Sequence, residues 1–215
     1  MTAIARTDRS AGRPPSERSR TGRSFFQRQL DRSLERRALI NARAVAPFVV
    51  GPMVLDVGAA EGWVGQALAD DDIGLMVSLL DVVDLNLATL PLTLYDGLTF
   101  PFGDNSFDTV LVMLTLHHCD DPVRVLAEAS RVARRRVIVT ESVYRTSAGR
   151  WLLWTMDNGL NGLRSGWQMP GGLHFAPVAH WLDRFRDLDL AVIETRWLSR
   201  GLHRHVAFVL EPPYS

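Results

Sequence analysis

The sequence predicts an α/β domain: a mostly parallel sheet with helices on both faces, closed by a C-terminal antiparallel hairpin. Three observations carry this. Short apolar runs alternate with helix-like stretches from about residue 53 to residue 140, which implies right-handed crossovers and a sheet covered on both sides. Runs such as Met53-Val54-Leu55-Asp56-Val57 read as buried parallel strands, here entering a tight turn at Gly58. Only Ser199-Arg200-Gly201-Leu202 separates the last two strands, a link short enough for a hairpin.

The elements follow in order. Residues 1–24 combine Arg, Ser, Thr, Gly and Pro14-Pro15 with almost nothing to bury, so a disordered basic tail is expected. Residues 25–215 then form one domain. Phe26, Leu30, Leu34 and Ala38 recur every four residues, the stripe of an amphipathic helix running to Val45, and this face is expected to cover the sheet. A strand spans Met53–Val57, a helix Glu61–Ala69, and strands Met76–Asp81, Leu92–Tyr95 and Asp108–Leu114 come next. A helix over Pro122–Val132 places Val125, Ala129 and Val132 on one side, and Val137–Thr140 makes the fifth strand. Residues 146–175 show no clear period. A helix at Pro177–Phe185 then precedes strands Ala191–Leu198 and His203–Glu211.

Composition narrows the function classes. Hydrophobic residues are 47% and charged residues 22% of the 215, an ordinary globular balance, and a chain of this length buries a sufficient core. Formal charge is zero overall, so nothing draws the whole molecule to nucleic acid or an anionic membrane. The charge is uneven, however: residues 1–43 carry eleven Arg against Asp8, Glu17, Asp31 and Glu35. Cys119 is the single cysteine, which excludes a disulfide framework and a zinc ribbon. The absence of a long apolar run and of a signal-peptide core leads to the expectation of a cytoplasmic protein. All 24 basic residues are Arg, as in a GC-rich, bacterial genome.

In open parallel sheets, ligands sit beyond the carboxyl ends of the strands at a topological switch point. The strand ends here read Asp56-Val57-Gly58-Ala59-Ala60-Glu61-Gly62, then Asp81, then Asp96-Gly97, then Leu116-His117-His118. The chain in this region, VLDVGAAEGWVG at 54–65, LLDVV at 79–83, YDGLTFPFGDNSFDTV at 95–110 and LHHCDDPVRVLAEASRVARRRVIVTES at 116–142, resembles the class I S-adenosylmethionine-dependent methyltransferases, particularly those acting on small molecules. The resemblance implies the Rossmann-like class I methyltransferase fold and S-adenosylmethionine as cofactor. It implies a cofactor-binding set of Asp56, Gly58, Ala60, Gly62, Asp81, Asp96, Gly97, Leu98 and Leu114. In that set Asp81 would accept from the ribose hydroxyls, with Asp84 as the alternative acid. Asp96 would accept from the adenine amino group and the Leu98 amide would face the ring. The family's third glycine is Ala60 in this chain. An acid before the loop and Glu61 within it suit a cationic sulfonium and would repel the phosphates that a dinucleotide fold cradles.

Other signals are read as structural. His117-His118-Cys119-Asp120-Asp121 is expected to be a strand end and helix cap rather than a metal site, because adjacent residues on a short turn converge poorly on one ion. His203 and His205 lack a third ligand, Arg134-Arg135-Arg136 is expected to be a solvated turn, and Cys119 a small buried hydrophobe.

Methyl transfer needs alignment and exclusion of water, and a base only when the acceptor must lose a proton. His118 and His174 are the candidate bases, and Glu141 and Tyr144 are placed to orient an acceptor. Residues 146–175, with Trp151, Trp154, Trp167 and several glycines, are expected to form a substrate lid over a moderately apolar, ring-containing acceptor. The expected partner is therefore a small molecule, with no membrane and no nucleic acid. The alternatives are a non-catalytic subunit of the same fold and an RNA methyltransferase acting through the basic arm.

Overall fold

The computed structural model describes residues 25–165, 174–200 and 204–213. The expected tail at 1–24 and the residues Trp167 and His203 lie outside them. The chain order is α1 (Phe25–Val45), β1 (Met53–Val57), α2 (Trp63–Asp71), β2 (Met76–Asp81), β3 (Leu92–Leu94), β4 (Phe107–Met113), α3 (Pro122–Val132), β5 (Ala133–Val143), α4 (Ser147–Ser165), α5 (Val178–Asp187), β6 (Ala191–Arg200) and β7 (Arg204–Glu211). The strands form one seven-stranded sheet in the order β3-β2-β1-β4-β5-β7-β6. The first five are parallel, while β7 runs antiparallel between β5 and β6. Chain progression reverses between β1 and β4, so their connections leave in opposite directions and open a crevice at the carboxyl ends.

The pleat sorts the core. Leu55, Val57, Val110, Val112, Val137 and Val139 face one side of the sheet and pack with α3 and with Trp181 and Phe185 of α5. Val54, Leu111, Ile138 and Val209 face the other, against Ala42 and Val45 of α1 and Leu68 of α2. All seven residues of β4 are buried, which is why this strand reads as apolar without alternation. Asp121 caps α3 by accepting from the Arg124 amide at 3.0 Å, with Pro122 in the first turn, where a missing N–H costs nothing. Arg131 ties the end of that helix to Glu128 and Asp104, both at 2.8 Å.

Two expectations are corrected. Arg134, Arg135 and Arg136 are not a turn but the first residues of β5 after Ala133, with Arg134 and Arg135 exposed as expected. Arg134 reaches Asp108 at 3.0 Å and Arg136 reaches Glu211 at 2.6 Å, so charges that looked loose in sequence hold neighbouring strands. The segment without a clear period contains α4, a helix of 19 residues. Its start is marked by Thr146, whose hydroxyl accepts from the Gly149 amide at 3.2 Å. Gly149, Gly159 and Gly162 had obscured the helical pattern.

No helix of the described residues is long and apolar enough to cross a membrane. Trp181 is fully buried, with the Arg184 guanidinium 4.6 Å over its ring, whereas Trp151 on α4 is exposed. Trp181→Ala should therefore lower the unfolding free energy in urea by about 3–5 kcal/mol, and Trp151→Ala by less than about 0.5. Equal effects would show that α4, not α5, closes the core.

Candidate active site

One cavity of about 520 Å³ lies at the carboxyl ends of β1, β2 and β4. That volume is within the range of small-molecule sites, roughly 300–1,000 Å³. Leu34, Arg37, Ala38 and Asn41 of α1 form one wall, so the N-terminal helix covers this side as its stripe implied. The side chains of Phe26 and Leu30 lie outside the described residues. Among the described residues, Asp56, Glu61, Asp81, Asp96 and Asp120 line the cavity with one arginine, Arg37.

The loop after β1 is shaped by three left-handed residues. Gly58 has φ 66° and donates its amide to the Leu80 carbonyl at 2.7 Å; a Cβ there would collide with the Thr115 side chain. The first glycine thus seats the loop against the turn after β4. Gly62, at φ 76°, precedes α2, and a Cβ on it would stand 2.7 Å from Leu79. Ala60 adopts φ 50°, so it takes the left-handed shape despite its methyl, and it faces the cavity. Its amide donates to Asp81 Oδ2 at 2.7 Å.

The two acids of β1 and β2 differ in what they satisfy. Asp56 is buried and accepts from the Gly65 amide at 3.1 Å through Oδ2. Burial pushes its carboxyl up to about 7, a rise opposed by that hydrogen bond and helped by the nearby Asp81 charge. Asp81 Oδ1 accepts from the amides of Val82 at 2.7 Å and Val83 at 3.2 Å. Asp84 is exposed and outside the cavity wall. Asp96 Oδ1 accepts from both Leu98 and Thr99 amides at 2.8 Å, and these bonds hold its carboxyl below the usual range. The Leu98 amide, expected to face an adenine ring, is directed to Asp96 in this structure. Gly97 and Leu98 both line the cavity.

At the β4 end, Leu114 is left-handed at φ 55° and donates to the Thr140 carbonyl at 2.8 Å. Leu116–His118 forms a turn of 3-10 helix that brings His117, His118 and Cys119 to the cavity, joined by Ser142 of β5 and His205 of β7. Burial pushes the Cys119 thiol up to about 12, which leaves it protonated at neutral pH. His174 does not line the cavity; its amide donates to the His117 carbonyl at 3.1 Å. Trp151 and Trp154 stand exposed on α4 and do not line it either. Sequence reasoning missed His117, which it left as part of a cap. Its Nδ1 lies 2.6 Å from Glu141 Oε2, both side chains being buried. The partners are 24 positions apart, and only the β4–β5 pairing brings them together.

Known proteins share parts of this sequence and fold. Residues 55–139 match the methyltransferase domain family. The demethylmenaquinone methyltransferase of Renibacterium salmoninarum is 32% identical over 118 residues, 52% of this chain and 48% of that protein. The chain thus spans about half the length of this curated relative. The magnesium protoporphyrin IX methyltransferase of Synechocystis PCC 6803, solved with bound S-adenosylhomocysteine, superposes with a TM-score of 0.58 at 17% identity, covering 88% of each chain. The [4+2]-cyclase SpnF superposes at 0.61 and 16% identity, over 88% of this chain and 81% of that one.

The raised Asp56 carboxyl gives a pH test. Between its ordinary value of 3.8 and about 7 the folded state binds a proton that the unfolded state does not. Stability from this group is therefore full below pH 4 and falls as pH rises to 7. Asp56→Asn removes the titration, so the variant should gain on the wild type between pH 4 and 8, by up to roughly 4 kcal/mol. A difference in urea unfolding free energy that stays flat across that window would refute the assignment.

Proposed function

We propose that this chain, whose residues 55–139 match the methyltransferase domain family, transfers the methyl group of S-adenosylmethionine to a small-molecule acceptor. The observation that carries the reading is the cavity, where the ends of β1, β2 and β4 meet and where, among the described residues, five acidic residues, Asp56 with a raised carboxyl among them, face one arginine. That set suits a cationic sulfonium and opposes a diphosphate. The fold alone does not choose the chemistry, since one structure that superposes on it is named a cyclase. The bound cofactor supplies a methyl carbon already activated by its sulfonium charge.

The protein's residues then bind, orient and exclude water. Asp81 and Asp96 are the proposed acceptors for the ribose hydroxyls and the adenine amino group. Gly58, Ala60 and Gly62 shape the loop for the methionine part, with Asp56 beneath it, while Gly97, Leu98 and Leu114 complete the wall. Leu34 and Ala38 of α1 keep water from one side of the cavity. The acceptor class is supported by the similarity to a demethylmenaquinone methyltransferase and a magnesium protoporphyrin IX methyltransferase, both named for ring compounds. The exposed tryptophans of α4 suit a segment that closes over such a ring, which keeps residues 146–175 as the proposed lid.

Calorimetry with S-adenosylhomocysteine tests this directly. The wild type should bind one equivalent, and Asp81→Asn should weaken binding about tenfold or more, roughly 1.4 kcal/mol. A folded wild type that binds neither S-adenosylhomocysteine nor S-adenosylmethionine would favour the non-catalytic reading.

A further inference from the structure

We propose that Asp56 is a proton-coupled gate for the cofactor: the unliganded protein keeps a proton on this carboxyl and releases it when a ligand's primary ammonium group reaches it. The ammonium is that of the amino-acid end of the cofactor, so the inference rests on the methyltransferase reading above.

Asp56 and Asp81 line the same cavity from the ends of β1 and β2, and they are equipped differently. Asp81 has three backbone amides on its oxygens, from Ala60, Val82 and Val83, and each favours its charged form. Asp56 is 1% exposed. Among the described residues its Oδ2 accepts one hydrogen bond, from the Gly65 amide at 3.1 Å, and Oδ1 accepts none. Gly65 lets α2 come this close, since a Cβ there would stand 3.2 Å from Oδ2. Two neighbouring buried acids do not both ionise cheaply, and the one with more donors keeps the charge. Asp81 is that one, and Asp56 holds the proton. Burial pushes the Asp56 carboxyl up to about 7, with the Gly65 bond opposing the rise and the Asp81 charge adding to it. The Gly65 amide needs only a neutral acceptor, so an acid at this position adds a cost that an arriving cation offsets.

The other charged and titratable groups around it are Glu61 in the loop before α2, Arg37 on α1, and His117 and His118 in the turn after β4, all lining the same cavity. Among the described residues none of them forms an ion pair with Asp56. An ammonium supplies that positive charge and has N–H donors for Oδ1. In the step, the carboxyl O–H bond breaks, its electron pair stays on the carboxylate, and the proton leaves to solvent while the ammonium keeps its own hydrogens. One positive charge enters as another leaves, so the buried region gains no net charge. A ligand with the same adenosine but no ammonium leaves the proton in place. Cofactor affinity is therefore weak where Asp56 is protonated, rises with pH, and levels off above about 7.

The experiment titrates the full-length protein calorimetrically with S-adenosylhomocysteine, which carries the ammonium, and with methylthioadenosine, which carries the adenosine thioether without it. Each titration is repeated in two buffers of different ionisation enthalpy, which counts the protons released. No S-adenosylhomocysteine binding at pH 8 defeats the methyltransferase reading itself. With binding secured, S-adenosylhomocysteine should release about 0.9 proton at pH 6 and about 0.1 at pH 8, and bind about tenfold more weakly at pH 6. Methylthioadenosine should release none. Asp56→Asn should lose both the release and the pH dependence, which separates Asp56 from the cavity histidines that titrate in the same range. Carbon NMR of aspartate-labelled wild type at pH 6 reads the step without relying on binding by the variant. The carboxyl signal assigned to Asp56 by its loss in Asp56→Asn should move from the protonated to the ionised position as S-adenosylhomocysteine is added. Binding without release, release that persists in Asp56→Asn, or equal release with methylthioadenosine overturns the proposal. So does an Asp56 signal that is already ionised in unliganded protein at pH 6, or one that stays protonated in the complex.

Discussion

The site depends on the Asp81 carboxylate and what it holds. Through Oδ2 it fixes the Ala60 amide in the loop after β1, and through Oδ1 it fixes the Val82 and Val83 amides after β2. Two loops that leave neighbouring parallel strands thus share one anion. The Gly58 amide adds a bond to the Leu80 carbonyl, so the first loop is docked on the end of β2 at two points. Without its bond the Ala60 amide would be a buried donor lacking an acceptor, at a cost of roughly 1–3 kcal/mol. The cavity keeps its form because this junction leaves the backbone little choice.

The far end of the cavity obeys the same rule with different chemistry. Leu116–His118 must turn sharply after β4, and a buried turn leaves donors to satisfy. Glu141, reaching across from β5, accepts from the Leu116 amide and faces the His117 ring. A neutral side chain would have satisfied the amide alone. The buried contact between Glu141 and the His117 ring orients the turn at this end of the cavity, across from Asp56 and Asp81 at the β1 and β2 ends. One cavity therefore gathers Asp56 and Asp81 at one end and His117, His118 and Asp120 at the other.

Much of this was legible in sequence, for reasons that also explain the failures. Strands buried on both faces leave unbroken apolar runs, so β1 and β2 stand where Met53–Val57 and Met76–Asp81 read as strands, and α3 matches Pro122–Val132 because its cap and proline are local signals. The short link likewise announced the antiparallel β6–β7 pair. The start of β5 was not legible, since three arginines in a row look like a turn until Asp108 is brought beside Arg134 and Glu211 beside Arg136 by tertiary structure. Nor was α4, because helix-weakening glycines outweighed one threonine cap. In the candidate site, the strand-end residues could be named from order alone. How each is used could not: the Leu98 amide turns to Asp96, and the His117–Glu141 contact spans two strands.

Backbone strain shows where the fold gives way to the site. Ala60 and Leu114, both non-glycine residues at positive φ, follow β1 and β4, the two strands that flank the switch point. A left-handed residue with a side chain costs of order 1–2 kcal/mol, so neither conformation is a default of the chain. Each is held by a bond from its own amide, Ala60 to Asp81 and Leu114 to the Thr140 carbonyl. Strain that persists because its surroundings over-determine it belongs to sites where position matters more than stability. Here the two strained residues stand on opposite lips of one crevice, both lining the cavity, so the width of the crevice is set by backbone rather than by mobile side chains.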